Sequence, residues 1–211
     1  MKKKIIIFCL IFILIITTII LIKNNYKSIK MGNNIINQSA DKIKENILNI
    51  ESYKAKVQIT ITSNKNTNTY EATQKYYKEN NLYKQEITSP ESFAGTTFEY
   101  DGSNLQIKNT KLNLSKIYEN YNYIGSNELS LNNFIEDYNN NENQDFENDE
   151  EIILETVVKT NNKYRKIKRL YISKNTKLPT KMEIQDNAQN TLVYILYNEI
   201  EINKLEKEQI N

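Results

Sequence analysis

The residues from Tyr53 to Thr62 alternate between two kinds of side chain. On one face of an extended chain they would place lysine, glutamine and threonine, and on the other face Tyr53, Ala55, Val57, Ile59 and Ile61. Successive side chains of a β-strand point to opposite faces of its sheet. The pattern therefore predicts a strand with one buried face, and it is the clearest signal in the chain.

Two segments follow the helical period instead. Before the first strand, apolar residues recur at steps of three and four, at Ile36, Ala40, Ile43, Ile47 and Ile50. Ser39 can cap this helix. A second helix is predicted from about Ser130 to Asn139, because the apolar residues there are spaced i, i+3, i+4 and i+7; they are Leu131, Phe134, Ile135 and Tyr138.

The rest of the chain predicts further strands, at residues 70–78, 82–88, 96–100, 104–108, near 112–117, and at 151–159, 164–173, 180–186 and 191–203. Asp101-Gly102-Ser103 predicts a tight hairpin in which Gly102 takes a positive φ. The last strand is apolar on both faces, which predicts that both are covered. The acidic, Asn-rich residues 139–150 predict a solvated loop. It lacks the regular spacing of a calcium loop, so we expect no metal site there.

The N-terminus predicts a membrane anchor. Three lysines precede residues 5–22, which are apolar except for Cys9, Thr17 and Thr18. At about 1.5 Å per residue this run spans roughly 27 Å, close to the thickness of a bilayer core. A cleaved signal peptide is the alternative, but no small-x-small site follows Ile22. We predict an anchor and spacer at residues 1–31, a single folded domain at residues 32–211, and a location on the outer side of the cell membrane.

The composition limits the catalytic mechanisms and the partners that the protein can have. Histidine is absent and Cys9 is the only cysteine, so the folded domain has no His-based or thiol nucleophile and no disulfide. Lysine and arginine number 28 against 26 acidic residues, without a basic cluster, which argues against nucleic acid. No carboxylate pair is singled out by spacing. We expect a protein that is not an enzyme and has no cofactor; an enzyme using only Asp, Glu, Lys, Tyr or Ser is the remaining catalytic alternative.

The order of elements resembles a known superfamily. A strand starting at Leu178-Pro179, a turn at Asp186, a final strand ending near Asn203 and the hairpin at Tyr100-Asp101-Gly102 are similar to features of the LolA/LolB-type lipoprotein carriers. The resemblance implies an α+β fold, an incomplete antiparallel β-barrel whose curved sheet wraps around helices. Within the superfamily the chain looks most like the branch of clostridial germination lipoproteins, although Cys9 is not in a lipobox.

That resemblance implies two functions. In the first, the chain is a membrane-tethered, non-enzymatic partner of a cortex amidase in sporulation or germination. In the second, it is a lipid or lipoprotein carrier whose hollow receives an acyl chain. The residues implied to line such a hollow are Val57, Ile59, Ile61, Phe98, Leu131, Phe134 and Ile135. A filled core without any ligand is the alternative for this set.

A partner surface is predicted separately, from the tyrosines before the second helix. No alternation explains Tyr118, Tyr121 and Tyr123 as core residues. Tyrosine offers a large contact area with one polar group, and exposed strand edges accept a pairing segment. We therefore predict that these three residues contact a protein partner. The alternative is that they fold back onto the sheet.

Overall fold

The computed structural model describes residues 39–121, 127–158, 167–206 and 209. Two compact units, Met1–Ile43 and Lys44–Asn211, divide the chain, and the whole sheet belongs to the second. Residues 39–48 form helix α1. It ends two residues before the predicted end at Ile50. The predicted anchor, residues 5–22, lies outside the described residues; within them, no helix is long and apolar enough to span a bilayer.

In the described part of the chain, eleven antiparallel strands form one sheet. They are β1 Ser52–Thr62, β2 Thr67–Tyr77, β3 Leu82–Ser89, β4 Thr96–Asp101, β5 Leu105–Asn109, β6 Leu114–Tyr118, β7 Asn143–Glu147, β8 Glu151–Val157, β9 Ile167–Ser173, β10 Pro179–Gln185 and β11 Thr191–Ile202. The spatial order is β6-β5-β4-β3-β2-β1-β11-β10-β9-β8-β7. The first and last strands therefore pair at the centre, while β6 and β7 are the two edges of an open, curved sheet.

The alternation in β1 appears directly as burial. Tyr53, Ala55, Val57 and Ile59 are each 2% exposed or less, whereas Lys54 and Lys56 face solvent. Helix α2, Leu131–Asn140, contacts β8 and buries its own apolar face. Its N-cap is Ser130, whose hydroxyl accepts the backbone N–H of Asn133 at 3.3 Å. The prediction of a curved antiparallel sheet with helices is confirmed.

The prediction of a loop at residues 139–150 is wrong, because Asn143–Glu147 form the edge strand β7. Every side chain of β7 is exposed, and Phe146 is its one apolar residue. An edge strand with two solvated faces has no apolar alternation to detect.

The expectation that β11 is covered on both faces is also wrong. Val193, Ile195 and Tyr197 are buried, but the opposite face of the strand is only half-buried. On that face Leu196 lies between Gln58 and Lys181, and the aliphatic parts of such long polar side chains shield it partly.

Candidate functional site

A row of tyrosines crosses one half of the sheet on its buried face. Each member lies directly opposite the next in the strand register; from β1 to β6 the row is Tyr53, Tyr76, Tyr83, Tyr100, Leu105 and Tyr118. The members on β1 to β5 are 7% exposed or less, and Tyr118 at the edge is 36% exposed. Burial raises the pKa of Tyr76 to about 12, helped by the charges of Glu136 and Glu51. The row connects the centre of the core to the open edge at β6.

A pair of buried glutamines lies beside this row. Gln74 of β2 is opposite Gln85 of β3, and its Nε2 donates to Gln85 Oε1 at 3.1 Å and to the Leu129 carbonyl at 3.2 Å. The Tyr83 hydroxyl donates to the same Gln85 oxygen at 3.0 Å. The bond to the Leu129 carbonyl ties the segment before α2 to the sheet, and the Oε1 of Gln74 is buried without a hydrogen-bond partner.

An apolar hollow of about 220 Å³ opens beyond the glutamines. Its wall includes Ile59, Ile61, Tyr70, Ile87, Phe93 and Phe98. The rings of Tyr70 and Phe93 meet edge to face at 5.8 Å, and Phe93 is 49% exposed. The hollow is thus a real but small apolar space. Pockets that hold small-molecule ligands have volumes of roughly 300–1,000 Å³.

The predicted ligand-binding residues do not form one site. Ile59, Ile61 and Phe98 line the hollow. Val57 is buried in the sheet, and Leu131 and Phe134 of α2 are completely buried. Ile135, the last of the set, lies on a different groove beside α2. Binding by any of these residues stays a prediction. Tyr70, Ile87 and Phe93 were not anticipated, although Tyr70 shares a face with Ala72 in the alternating pattern of β2.

Two of the three tyrosines predicted to contact a partner, Tyr118 and Tyr121, lie at the β6 edge. Tyr118 is the last residue of β6, and the rings of Tyr118 and Tyr121 are 5.9 Å apart. The ammonium of Lys116 lies 4.7 Å from the centre of the Tyr118 ring, within cation–π range. Both tyrosines are exposed, at 36% and 40%. Tyr123 lies outside the described residues. The binding role of the three stays a prediction.

Helix α2 is fixed to the other half of the sheet by a buried charge. Lys168 of β9 is fully buried, and its Nζ lies 2.6 Å from Asp137 Oδ2 and 2.5 Å from Asn133 Oδ1. At the end of the helix, the Tyr138 hydroxyl donates to Asp145 of β7. Burial and this carboxylate raise the pKa of Tyr138. Lys168 was not predicted from the sequence as a buried residue. It lies two residues before Leu170 and four before Ile172, so the alternation of the strand places it on the same inward face.

The described residues contain no group of three or more metal-ligating side chains. What this part of the chain does provide is an open edge with aromatic side chains, a small apolar hollow, and a groove beside α2 that is lined by both polar and apolar side chains. Each of these three arrangements offers a surface suited to binding a ligand or a partner protein.

Solved structures of several other proteins are similar to this chain. The chain is similar to a conserved protein from Thermus thermophilus, with 14% identity over 82% of this chain and 92% of that one and a TM-score of 0.52. A LolA superfamily protein from Nitrosomonas europaea is 14% identical over 82% and 97% of the two chains, with a TM-score of 0.43. The complex of the CwlD amidase with the GerS lipoprotein from Clostridioides difficile matches at 26% identity over 79% and 92%, with a TM-score of 0.45.

A comparison of the sequence with models of protein families shows the family to which this chain belongs. The model of the family described as YdcC, sporulation protein YdcC-like, matches residues 2–210, and the chain belongs to this family. The recognition made from the sequence, a LolA-like protein related to the germination lipoproteins, is confirmed. No protein with a curated description matches the sequence.

Proposed function

We propose that this sporulation-family protein is a non-enzymatic partner protein, tethered to the membrane and facing outward, whose β6 edge binds an amidase-type protein. One observation is the main support for the β6 edge as the binding surface. Of the seven large apolar side chains exposed in the described residues, five lie on β6 or next to it: Leu112, Leu114, Ile117, Tyr118 and Tyr121. Leu114 and Tyr118 share one face of β6 and Ile117 lies on the other, so exposed apolar side chains flank this edge on both faces. Clustering of exposed apolar side chains is typical of a protein interface.

The two edges of the sheet differ in a way that favours β6. Proteins commonly guard an exposed edge strand with charges, because its unpaired backbone groups can pair with another chain. On β7, Asp145 is bridged to Lys44 and Glu147 to Lys174. On β6 the one charged residue is Lys116, which lies over the Tyr118 ring. The β6 edge is therefore suited to accept an extended segment of a partner as an additional strand.

The class of partner comes from the sequence resemblance, and the experiment tests both partner and surface. Full-length protein carrying an affinity tag is co-expressed with the cortex amidase of the same organism. The tagged protein is purified, and the amount of amidase captured with it is measured. Replacement of Tyr118, Tyr121 and Tyr123 by alanine should leave circular dichroism unchanged and abolish capture, because aromatic residues at the centre of an interface often contribute about 2 kcal/mol or more each.

The matched control is Phe146→Ala, since Phe146 is similarly exposed on the opposite edge. It should capture the amidase as well as the wild type does. A folded triple variant that still binds would move the interface elsewhere, and an unfolded one would show that the tyrosines belong to the core.

The membrane tether has its own test. The full-length chain should stay in the membrane fraction and resist extraction by high salt, since residues 5–22 are long enough to span the bilayer core. A soluble form that begins after about residue 23 would identify the segment as a cleaved signal peptide instead.

The hollow supports a second candidate, a carrier of acyl chains. Its lining is almost entirely apolar, with Ile59, Ile61 and Phe98 among the wall residues. Its volume of about 220 Å³ lies below the usual range for small-molecule sites, so the partner role is the better supported. Native mass spectrometry of the full-length protein separates the two: a carrier retains or takes up lipid, and Phe98→Trp, which fills the hollow, should displace it.

A further inference from the structure

A second concave site lies beside α2, on the opposite side of the tyrosine row from the hollow. We call it the asparagine groove; it is bordered by the exposed side chains of Asn49, Asn81 and Asn139 and has Asn132, Tyr76 and Ile50 at its buried base. Its volume is about 400 Å³, within the range of roughly 300–1,000 Å³ typical of small-molecule sites.

The groove contains unused hydrogen-bonding groups. Asn132 is 6% exposed; its Oδ1 accepts from the Tyr53 hydroxyl at 3.1 Å, whereas its Nδ2 has no partner. A buried amide donor without a partner is uncommon in folded proteins and costs about 1–3 kcal/mol. None of the described hydrogen bonds uses the Tyr76 hydroxyl. A tyrosine hydroxyl is protonated at physiological pH, and burial raises the pKa of this one further, so it can donate a hydrogen bond.

The charge of the lining limits the ligand. Lys78 and Glu136 are its two ionisable residues besides Tyr76, and Lys78 forms an ion pair with Glu51 next to the groove, so the lining has no excess of positive charge. A phosphate or carboxylate ligand would require an excess of cations, and an acyl chain would require an apolar border like that of the hollow. The amide groups of four asparagines instead offer paired donors and acceptors. Ile50, Ile135 and the edge of Tyr76 add apolar contact at the base.

We infer that the asparagine groove binds an uncharged saccharide carrying N-acetyl groups. Such a ring presents hydroxyl and amide groups to the asparagines, and its C–H surface and methyl group can rest on the isoleucines. The site is distinct from the β6 edge and does not depend on the partner proposed there.

The test compares two neighbouring asparagines of α2. Asn139 and Asn140 are both exposed, but only Asn139 lines the groove. Full-length protein, held in a detergent without a sugar headgroup, is titrated by calorimetry with the trimer of N-acetylglucosamine. Asn139→Ala should raise Kd about fivefold, the effect of one hydrogen bond, while Asn140→Ala should bind like the wild type.

Three outcomes overturn the inference. The sugar trimer does not bind the wild type, or it binds equally to the wild type and to both asparagine variants. In the third outcome trialanine binds in an Asn139-dependent manner and the sugar trimer does not, which would assign the groove to a peptide. The alanine variants of Tyr118 and Tyr121 should bind the trimer normally, so that failure of the partner proposal and failure of this one are distinguishable.

Discussion

Gly102 packs directly against the backbone carbonyl of Asn80: a β-carbon at Gly102 would lie 2.6 Å from that oxygen. The residue has φ +95°, as predicted for the tight hairpin, and the Tyr100 hydroxyl donates to its carbonyl at 2.9 Å. The β4–β5 hairpin therefore supports the β2–β3 turn, which carries Asn81 at the border of the asparagine groove.

Gly102→Ala should destabilise the protein far more than Gly95→Ala, in urea unfolding at neutral pH. Gly95 also has a positive φ, +83°, but a β-carbon there meets no atom within 4 Å. Gly95→Ala should lower the free energy of unfolding by the backbone strain alone, about 1–2 kcal/mol. Gly102→Ala adds displacement of the Asn80 carbonyl, and Gly102→Val should prevent folding. Equal effects at the two glycines would contradict the close approach.

The pair between Lys168 and Asp137 predicts an asymmetric response to mutation. The Lys168 side chain is fully buried, whereas that of Asp137 is 18% exposed. Asp137→Ala leaves an unpaired ammonium in the core and should lower the free energy of unfolding by about 3 kcal/mol. Lys168→Met leaves a carboxylate that water can reach, and should cost less. The order is measured by urea unfolding of the two variants, and the reverse order would mean that Asp137 is the more poorly solvated partner.

The hydroxyl of Tyr197 should be dispensable. It is buried without a hydrogen-bond partner, and burial raises its pKa. Tyr197→Phe removes an unsatisfied polar group and should leave the free energy of unfolding unchanged or raise it by about 1 kcal/mol. Tyr53→Phe is the matched comparison, because the Tyr53 hydroxyl donates a hydrogen bond to Asn132. Tyr53→Phe should lower the free energy of unfolding by about 1 kcal/mol. A clear loss of stability in Tyr197→Phe would reveal a partner for that hydroxyl.

The hydrogen bonds to Asp101 should make part of the free energy of unfolding depend on pH, and this part should be lost in acid. Hydrogen bonds from the backbone N–H groups of Asn104 and Ser103 and from the Asn104 side chain hold the pKa of Asp101 below its ordinary value. A group with a depressed pKa in the folded state stabilises the fold above its unfolded pKa of about 3.9, and this contribution is lost as the pH falls through the folded pKa. Asp101→Asn should be less stable than the wild type at pH 7. The difference should shrink below about pH 4 in urea unfolding, and a difference independent of pH would exclude Asp101 as its source.

Local patterns were sufficient for most elements. The alternation in β1, the helical spacing around Phe134 and the Asp-Gly turn each involve residues close in sequence, so their physics can be recognised without knowing the fold. Where the solvent covers both faces of a strand this information disappears. That is why β7 was predicted as a loop.

The sequence by itself also determined the family resemblance, the absence of histidine and the presence of Cys9 as the single cysteine. Only the tertiary structure decided which residues meet. The tyrosine row, the Gln74–Gln85 pair and the burial of Lys168 depend on the pairing register of strands that are distant along the chain. The hollow and the asparagine groove are likewise spaces left between elements, and their size depends on side-chain packing that no local period encodes.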